Sequence, residues 1–262
     1  MLLEGDRFWP LRVARELDDA ILQLRFNELE IGVIVFKSMG SSAEVAKYCN
    51  FLQENKDHWL AREIVFYWTR VLKRIDLTSR SLISLITPDS CFAGFLAEII
   101  FASDRSFMCE DVFEEFGDLE ASIILTSSNF GSHPMCNNLT RLATRFIGQP
   151  EMIEDIELNV GRPILAEKAD ALGLVSMSCD DIDWDDEVRL FLEERTSFSP
   201  DALTAMEANT RFAGPETMET KIFGRLSAWQ NWIFQRPNAV GGEGALKLYG
   251  TGKRADFDRK RV

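Results

Sequence analysis

The residues best placed for chemistry lie between Arg80 and Met108. An apolar run, Ser81 to Thr87 (SLISLIT), ends at Pro88-Asp89-Ser90, and Gly94 then opens the apolar segment GFLAEIIFAS ahead of a second extended run. The order predicts strand, turn, helix and strand, the first strand being buried on both faces. Backbone N–H groups at such a helix start lack intrahelical partners and can face a ligand oxygen. Cys91, just before the helix, is either a thiol activated by that N-terminus or a packed one; packing is the ordinary role of a free cysteine. His133 stands in Gly131-Ser132-His133-Pro134 with no identifiable Ser or Asp partner, and no G-x-S-x-G elbow exists, so the chain offers no nucleophilic triad. The five cysteines form no CxxC pair and the two histidines no HxxxH pair, so no metal site is expected and the thiols are read as reduced.

Around this unit the chain reads as globular, long enough for one large domain or a domain with a helical appendage. A net charge of −13 argues against a general nucleic-acid surface. No apolar run approaches a bilayer span, and MLLEGDRFWP lacks a basic region and an apolar core, so a cytoplasmic protein without membrane contact is expected. Val13, Leu17, Ile21 and Leu24 predict a helix over Leu11–Glu28, followed by a strand over Ile31–Phe36. Leu60, Ile64, Tyr67 and Val71 predict a second helix from Trp59 to Arg74. The acidic stretch from Glu110 to Ala121 reads as the loop of a hairpin whose second strand is Ser122–Thr126. Beyond it helices are expected over Asn138–Ile147, Glu151–Leu158, Leu165–Leu172, Asp185–Thr196 and Glu216–Phe234, with a short strand at Val175–Met177. The acidic run Asp180 to Glu187 complements the dipole of the helix it precedes. The tail, with Gly241, Gly242, Gly244, Gly250 and Gly252 followed by Lys253, Arg254, Arg259, Lys260 and Arg261, is either a phosphate cradle or a docked or mobile arm.

In order and spacing, these motifs resemble the crotonase (enoyl-CoA hydratase/isomerase) superfamily. Its signature here is a glycine triplet, a Cys and a Glu, then an Asp six residues on; Gly94-Phe95-Leu96-Ala97-Glu98 with Asp104 keeps that spacing. Leu11 to Phe36 resembles the first long helix and following strand. Asn138 to Val175, with GRPILAEKADALGLV from Gly161, resembles the paired helices and the A-x-x-A-x-x-x-G-L-V turn. More narrowly, ARELDDAILQLRFNELEIG, LITPDSCFAGFLAEIIFASDRSFM, SNFGSHPMCNNLTRLATRFIG and AWQNWIFQRPNAVGGEGALKLYGTGKRADFD are similar to the C-terminal half of the superfamily's benzoyl-CoA-dihydrodiol lyases, over nearly the whole chain.

The resemblance implies an α/β fold, a crotonase-like (ClpP/crotonase) spiral of strand-helix turns closed by C-terminal helices and lacking the first two strands. It divides the chain into a truncated crotonase-like core (1–178), a helical region (179–236) and a glycine-rich basic tail (237–262). The implied activity is that of a C–C lyase opening an oxygenated, dearomatised benzoyl-CoA ring hydrolytically, with formate release, in aerobic benzoate degradation. This half is expected to be structural or pocket-supporting, and inactive in isolation. An acyl-CoA hydratase or isomerase using Glu98 is one alternative; a non-catalytic oligomerisation module built on the aromatic stretch Phe212–Phe234, otherwise core, is another. The implied partners are an acyl-CoA substrate, an N-terminal crotonase-like half and a second copy of the chain in a dimer. The substrate is itself a CoA thioester, so no cofactor is implied.

For the site, the resemblance makes Glu98 a catalytic glutamate, against the plainer reading of a carboxylate stabilised near a helix start. It makes the backbone N–H of Phe95, with Gly94 beside it, an oxyanion donor. The loop for the first donor matches Ser41–Tyr48 (SSAEVAKY), which has no glycine. The second glutamate has two possible positions. Phe116-Gly117-Asp118-Leu119-Glu120 copies the letters of F-G-x-P-E, whereas counting back from Leu139-Thr140-Arg141 leads to Ile124 or to Ser127–Asn129, where no acid stands.

Overall fold

The computed structural model describes residues 1–111 and 119–261. Strands β1 (Val33–Phe36), β2 (Ser81–Ile86), β3 (Arg105–Cys109) and β6 (Met177–Cys179) form a parallel sheet in the order β1-β2-β3-β6. All six residues of β2 are buried, as its unbroken apolar run requires of a strand covered on both faces. A second, two-stranded sheet pairs β4 (Ser122–Ile124) antiparallel with β5 (Pro163–Leu165). β4 is therefore not the return arm of a hairpin with β3, as the sequence suggested: β3 is flanked by β2 and β6, so β4 pairs elsewhere. Phe116, Gly117 and Asp118 lie outside the described residues.

Helix α1 (Trp9–Asn27) packs on α3 (Trp59–Asp76). In α3 the buried stripe is Ala61, Ile64, Trp68, Val71, Leu72 and Ile75, one helical face, with Leu60 and Tyr67 at its margin. Between them α2 (Ser42–Glu54) is a regular helix where the sequence suggested a donor-bearing loop; Ser41 caps it by accepting from the Glu44 N–H at 3.3 Å. The core continues through α4 (Ala97–Ala102), α5 (Arg141–Arg145), α6 (Glu151–Glu157) and α7 (Ala166–Ala171).

After β6 come α8 (Asp181–Ser197), capped by the Asp180 side chain, and α9 (Pro200–Arg211), which the sequence reading passed over. Two short helices, Met218–Lys221 and Ser227–Ile233, are joined by a π turn at Ile222–Leu226, and none of their residues is buried. That corrects the expectation that this aromatic stretch is core: Phe223 is 72% exposed and Met218 70%. The glycine-rich tail docks. Asn238 exchanges two hydrogen bonds with the backbone of Asp258, and the Arg261 N–H donates to Leu29 O at 3.0 Å. Among the described residues no helix is long and apolar enough to cross a membrane.

Helix α9 is fastened to the sheet by charge. Arg211 holds Asp104 through Nε at 2.7 Å and Nη2 at 2.5 Å, and also donates to the carbonyls of Thr78 and Arg80. Beside it Glu207 accepts from Ser81 Oγ at 2.8 Å. Burial, then the hydrogen bond and charge of Asp104, push Glu207 up to about 7, against the pull of Arg211. An acid whose folded pKa exceeds its unfolded value binds its proton more tightly when folded. Its stabilising contribution is therefore full at low pH and is lost as pH rises through about 7, on the order of 1–3 kcal/mol. Urea unfolding of the wild type and Glu207→Gln at pH 5 and pH 8 should show the wild type losing stability relative to the variant at the higher pH; parallel profiles would refute this.

Candidate active site

The segment marked by the sequence is the turn joining β2 to α4. Phe92 and Ala93 run beside β4, so the Ile124 N–H donates to Phe92 O at 3.1 Å and the Gly94 N–H to Ile124 O at 3.0 Å. The Gly94 donor is thus committed to the backbone instead of facing a ligand. Gly94 has φ +46°, and a Cβ added there would stand 2.1 Å from Cys49 Sγ, so both backbone and space demand glycine. Cys49 comes from α2, and its burial outweighs the effect of the nearby Phe95 N–H, which favours the thiolate. Burial pushes this thiol up to about 12. Both expected oxyanion donors therefore face groups of the chain itself. The Phe95 ring turns inward and stacks on Trp68 with centroids 4.2 Å apart.

Glu98 is only 1% exposed. Its Oε1 accepts from Asn129 Nδ2 at 2.7 Å and its Oε2 from Arg141 Nη1 at 2.9 Å. Arg141, equally buried, grips Asp76 with two teeth, Nε at 3.0 Å and Nη2 at 2.7 Å, and gives its remaining reach to His133 O at 3.0 Å. Burial raises the pKa of Glu98, opposed by Arg141 and by the Asn129 hydrogen bond; Asp76 is raised by burial against the same arginine. The guanidinium remains cationic, since two carboxylates outweigh its own desolvation. His133 Nδ1 lies 3.1 Å from Thr69 Oγ1, and burial, then Arg141, pull its pKa down to about 3, leaving a neutral ring of low basicity.

Asn129 belongs to the segment Ser127–Asn129 reached by counting back from Leu139, so an amide occupies the position beside Glu98. Thr126 N–H and Gly94 O fix its orientation at 2.9 Å each. Glu120 is exposed, ahead of β4, and Asp104 accepts from the Leu82 N–H at 2.7 Å while holding Arg211. Cys91 is buried, and its desolvation raises the thiol pKa, the opposite of activation. Among the described residues no three acids, cysteines or histidines gather as metal ligands. None of the five main cavities is lined by Gly94, Phe95 or Glu98. An acid or base must reach its substrate within hydrogen-bond distance, and here every oxygen of Glu98 reaches protein instead.

Among the residues around Glu98, Asp76, Arg141 and Cys49 were not singled out in the sequence as site residues. Asp76 carried a signal, because it extends the buried stripe of α3 by the i+4 step from Leu72. Arg141 and Cys49 carried none that local pattern reveals.

No family model matches the chain. A benzoyl-CoA-dihydrodiol lyase from Aromatoleum evansii is 48% identical over 259 residues, covering 99% of this chain and 46% of the lyase. The chain thus spans about half the length of that relative. An enoyl-CoA hydratase from Bacillus anthracis superposes with a TM-score of 0.68 at 18% identity, covering 95% of this chain and 90% of the other. One from Geobacillus kaustophilus gives 0.67 at 18%, covering 94% and 86%. At such identities the structures speak for the fold alone. With its parallel sheet and buried β2–α4 turn, the chain has the crotonase-like α/β fold, and in sequence it is similar throughout to the C-terminal half of a benzoyl-CoA-dihydrodiol lyase.

Proposed function

We propose that the chain is the non-catalytic half of a lyase acting on an oxygenated, dearomatised benzoyl-CoA, where it supports the fold or the pocket of a catalytic N-terminal half. The observation that carries this reading is Glu98, whose two carboxylate oxygens are both held inside a sealed core by Asn129 and Arg141. The occupied donors support it. Anion stabilisation at a thioester oxygen loses about 3–4 kcal/mol for each donor removed, and here Gly94 donates to Ile124 while Phe95 faces Cys49. The likeness to the lyase supplies the substrate class, an acyl-CoA, and the partner half.

A second reading, an oligomerisation module, is favoured by the apolar face from Met218 to Phe234. Met218, Phe223, Leu226 and Phe234 stand largely in water there, an arrangement that an additional protein surface would relieve. On this reading sedimentation finds a dimer of the isolated chain, and Phe223→Asp with Leu226→Asp returns it to monomer; a monomeric wild type refutes it.

Two measurements test the principal reading. Calorimetric titration of the isolated chain with benzoyl-CoA should give no saturable heat, and binding should appear once a separately expressed N-terminal half is added. Saturable binding by the chain alone would overturn the reading. In the assembled two-half enzyme, Glu98→Gln costs stability by taking one of the two carboxylates from Arg141. The fraction that is folded by circular dichroism should nevertheless keep kcat/KM within about twofold, whereas loss of a general acid or base would lower it by about 10²–10⁴.

A further inference from the structure

At the far end of α4 from Gly94 lies a cavity of about 280 Å³. It is a partly open cleft between the end of α3, the end of α4, α5 and the end of α9. At ~30 Å³ per water, it has room for roughly nine waters, a space suited to a molecule of few heavy atoms.

Its charges are unevenly satisfied. Both carboxylates on its wall are held by two-toothed arginine pairs, Asp76 by Arg141 and Asp104 by Arg211. The third arginine, Arg145, has no such partner. Its Nε donates to Gly173 O at 2.7 Å, no carboxylate is paired with it, and burial lowers its pKa with no acid opposing. Beside it in sequence and on the same wall, Thr144 is 8% exposed, and its hydroxyl is fully buried without a hydrogen-bond partner. A buried hydroxyl without a hydrogen bond is costly, and the half-buried Arg145 is the one arginine on this wall that no carboxylate among the described residues neutralises. The rest of the wall includes Phe101 and Met135, which offer apolar surface.

These features select the ligand. One unpaired cation calls for a single negative charge, and the nearby Asp76 and Asp104 disfavour a dianion such as phosphate or sulfate. Phe101 and Met135 call for an apolar body attached to it. We propose that this cavity binds a small monocarboxylate, its carboxylate accepting from the Arg145 guanidinium and the Thr144 hydroxyl and its apolar part lying against Phe101 and Met135. Gly94, Phe95 and Glu98 do not line this cavity, though its Arg141 also holds Glu98, so the site stands whether or not that turn is catalytic.

The test is calorimetric titration of the chain with butyrate and with benzoate, against sodium sulfate at equal ionic strength. Saturable binding of at least one carboxylate, with none of sulfate, is expected. Arg145→Gln should weaken it tenfold or more, Arg145→Lys should retain most of it, and the near-isosteric Thr144→Val should weaken it several-fold with unchanged circular dichroism. Thr144→Val keeps the test decisive should Arg145→Gln fail to fold. The proposal is overturned by absence of saturable carboxylate binding, by sulfate binding as well as the carboxylates, or by affinity indifferent to both Arg145→Gln and Thr144→Val.

Discussion

One guanidinium shared by two buried carboxylates sets the terms for the rest of the molecule. Asp76 ends α3, Glu98 lies on α4 and Arg141 opens α5, so the cluster ties three elements together through side chains that are each about 1% exposed. Removing one member of such a group leaves an uncompensated buried charge, at a cost of about 3–5 kcal/mol, comparable with a large share of a domain's net stability of about 5–15 kcal/mol. Helix α5 has five residues and could not persist alone. Its position follows from the ion pairs and from the Thr140 cap, which accepts from the Ala143 N–H at 3.0 Å. The sealed core and the charge cluster are therefore one constraint: each carboxylate is tolerated only because Arg141 is there, and Arg141 only because both are.

That constraint opposes acyl-transfer chemistry at the same place. A catalytic carboxylate needs an open side toward substrate, and an oxyanion site needs N–H groups with nothing in front of them. Here α2 spans Ser42–Glu54, and its Cys49 sulfur rests against Gly94 and Phe95. Phe95 fills the remaining space by stacking on Trp68, whose indole N–H is in turn held by Pro10 O at 2.9 Å. The fold is shared with enoyl-CoA hydratases, and in this chain the Gly94 N–H and both Glu98 oxygens face the chain's own groups. Fold and chemistry are separable in this way because packing tolerates many side chains and catalysis few.

What the sequence revealed follows the range over which each signal acts. The strand over Ser81–Ile86 and the helix from Trp59 were legible because an apolar run and a 3.6-residue stripe are local. The pairing of β4 with β5 was not, since it joins segments separated by three helical stretches and depends on β6 already occupying the free side of β3. The Gly94 turn was found, but the fate of its N–H groups depends on Ile124 and on a cysteine of another helix. Glu98 could be read as catalytic because its buried partners, Asn129 and Arg141, are 31 and 43 residues away. The helix from Met218 looked like core because aromatic residues usually are, yet the apolar face it presents has no cover within the described chain.

Beyond α8, whose Trp184 belongs to the core, the C-terminal region is fastened to the rest of the chain largely by polar links. Helix α9 joins the sheet through Arg211, which reaches Asp104, Thr78 and Arg80, and through Glu207 at Ser81. The tail joins through Asn238, Asp258 and Arg261. Polar links spend little apolar area, so the aromatic residues from Phe223 to Phe234 are left facing outward. Helix α8 adds Trp184 to the core, whereas Met218, Phe223, Leu226 and Phe234 stand exposed beyond it. Burial of that surface would add stabilisation in proportion to the apolar area covered, about 25 cal/mol per Å², without disturbing the links already made. The division is physical: Arg141 closes the interior, and Arg211 and Asn238 hold α9 and the tail in place by polar links that leave Phe223 and Phe234 exposed.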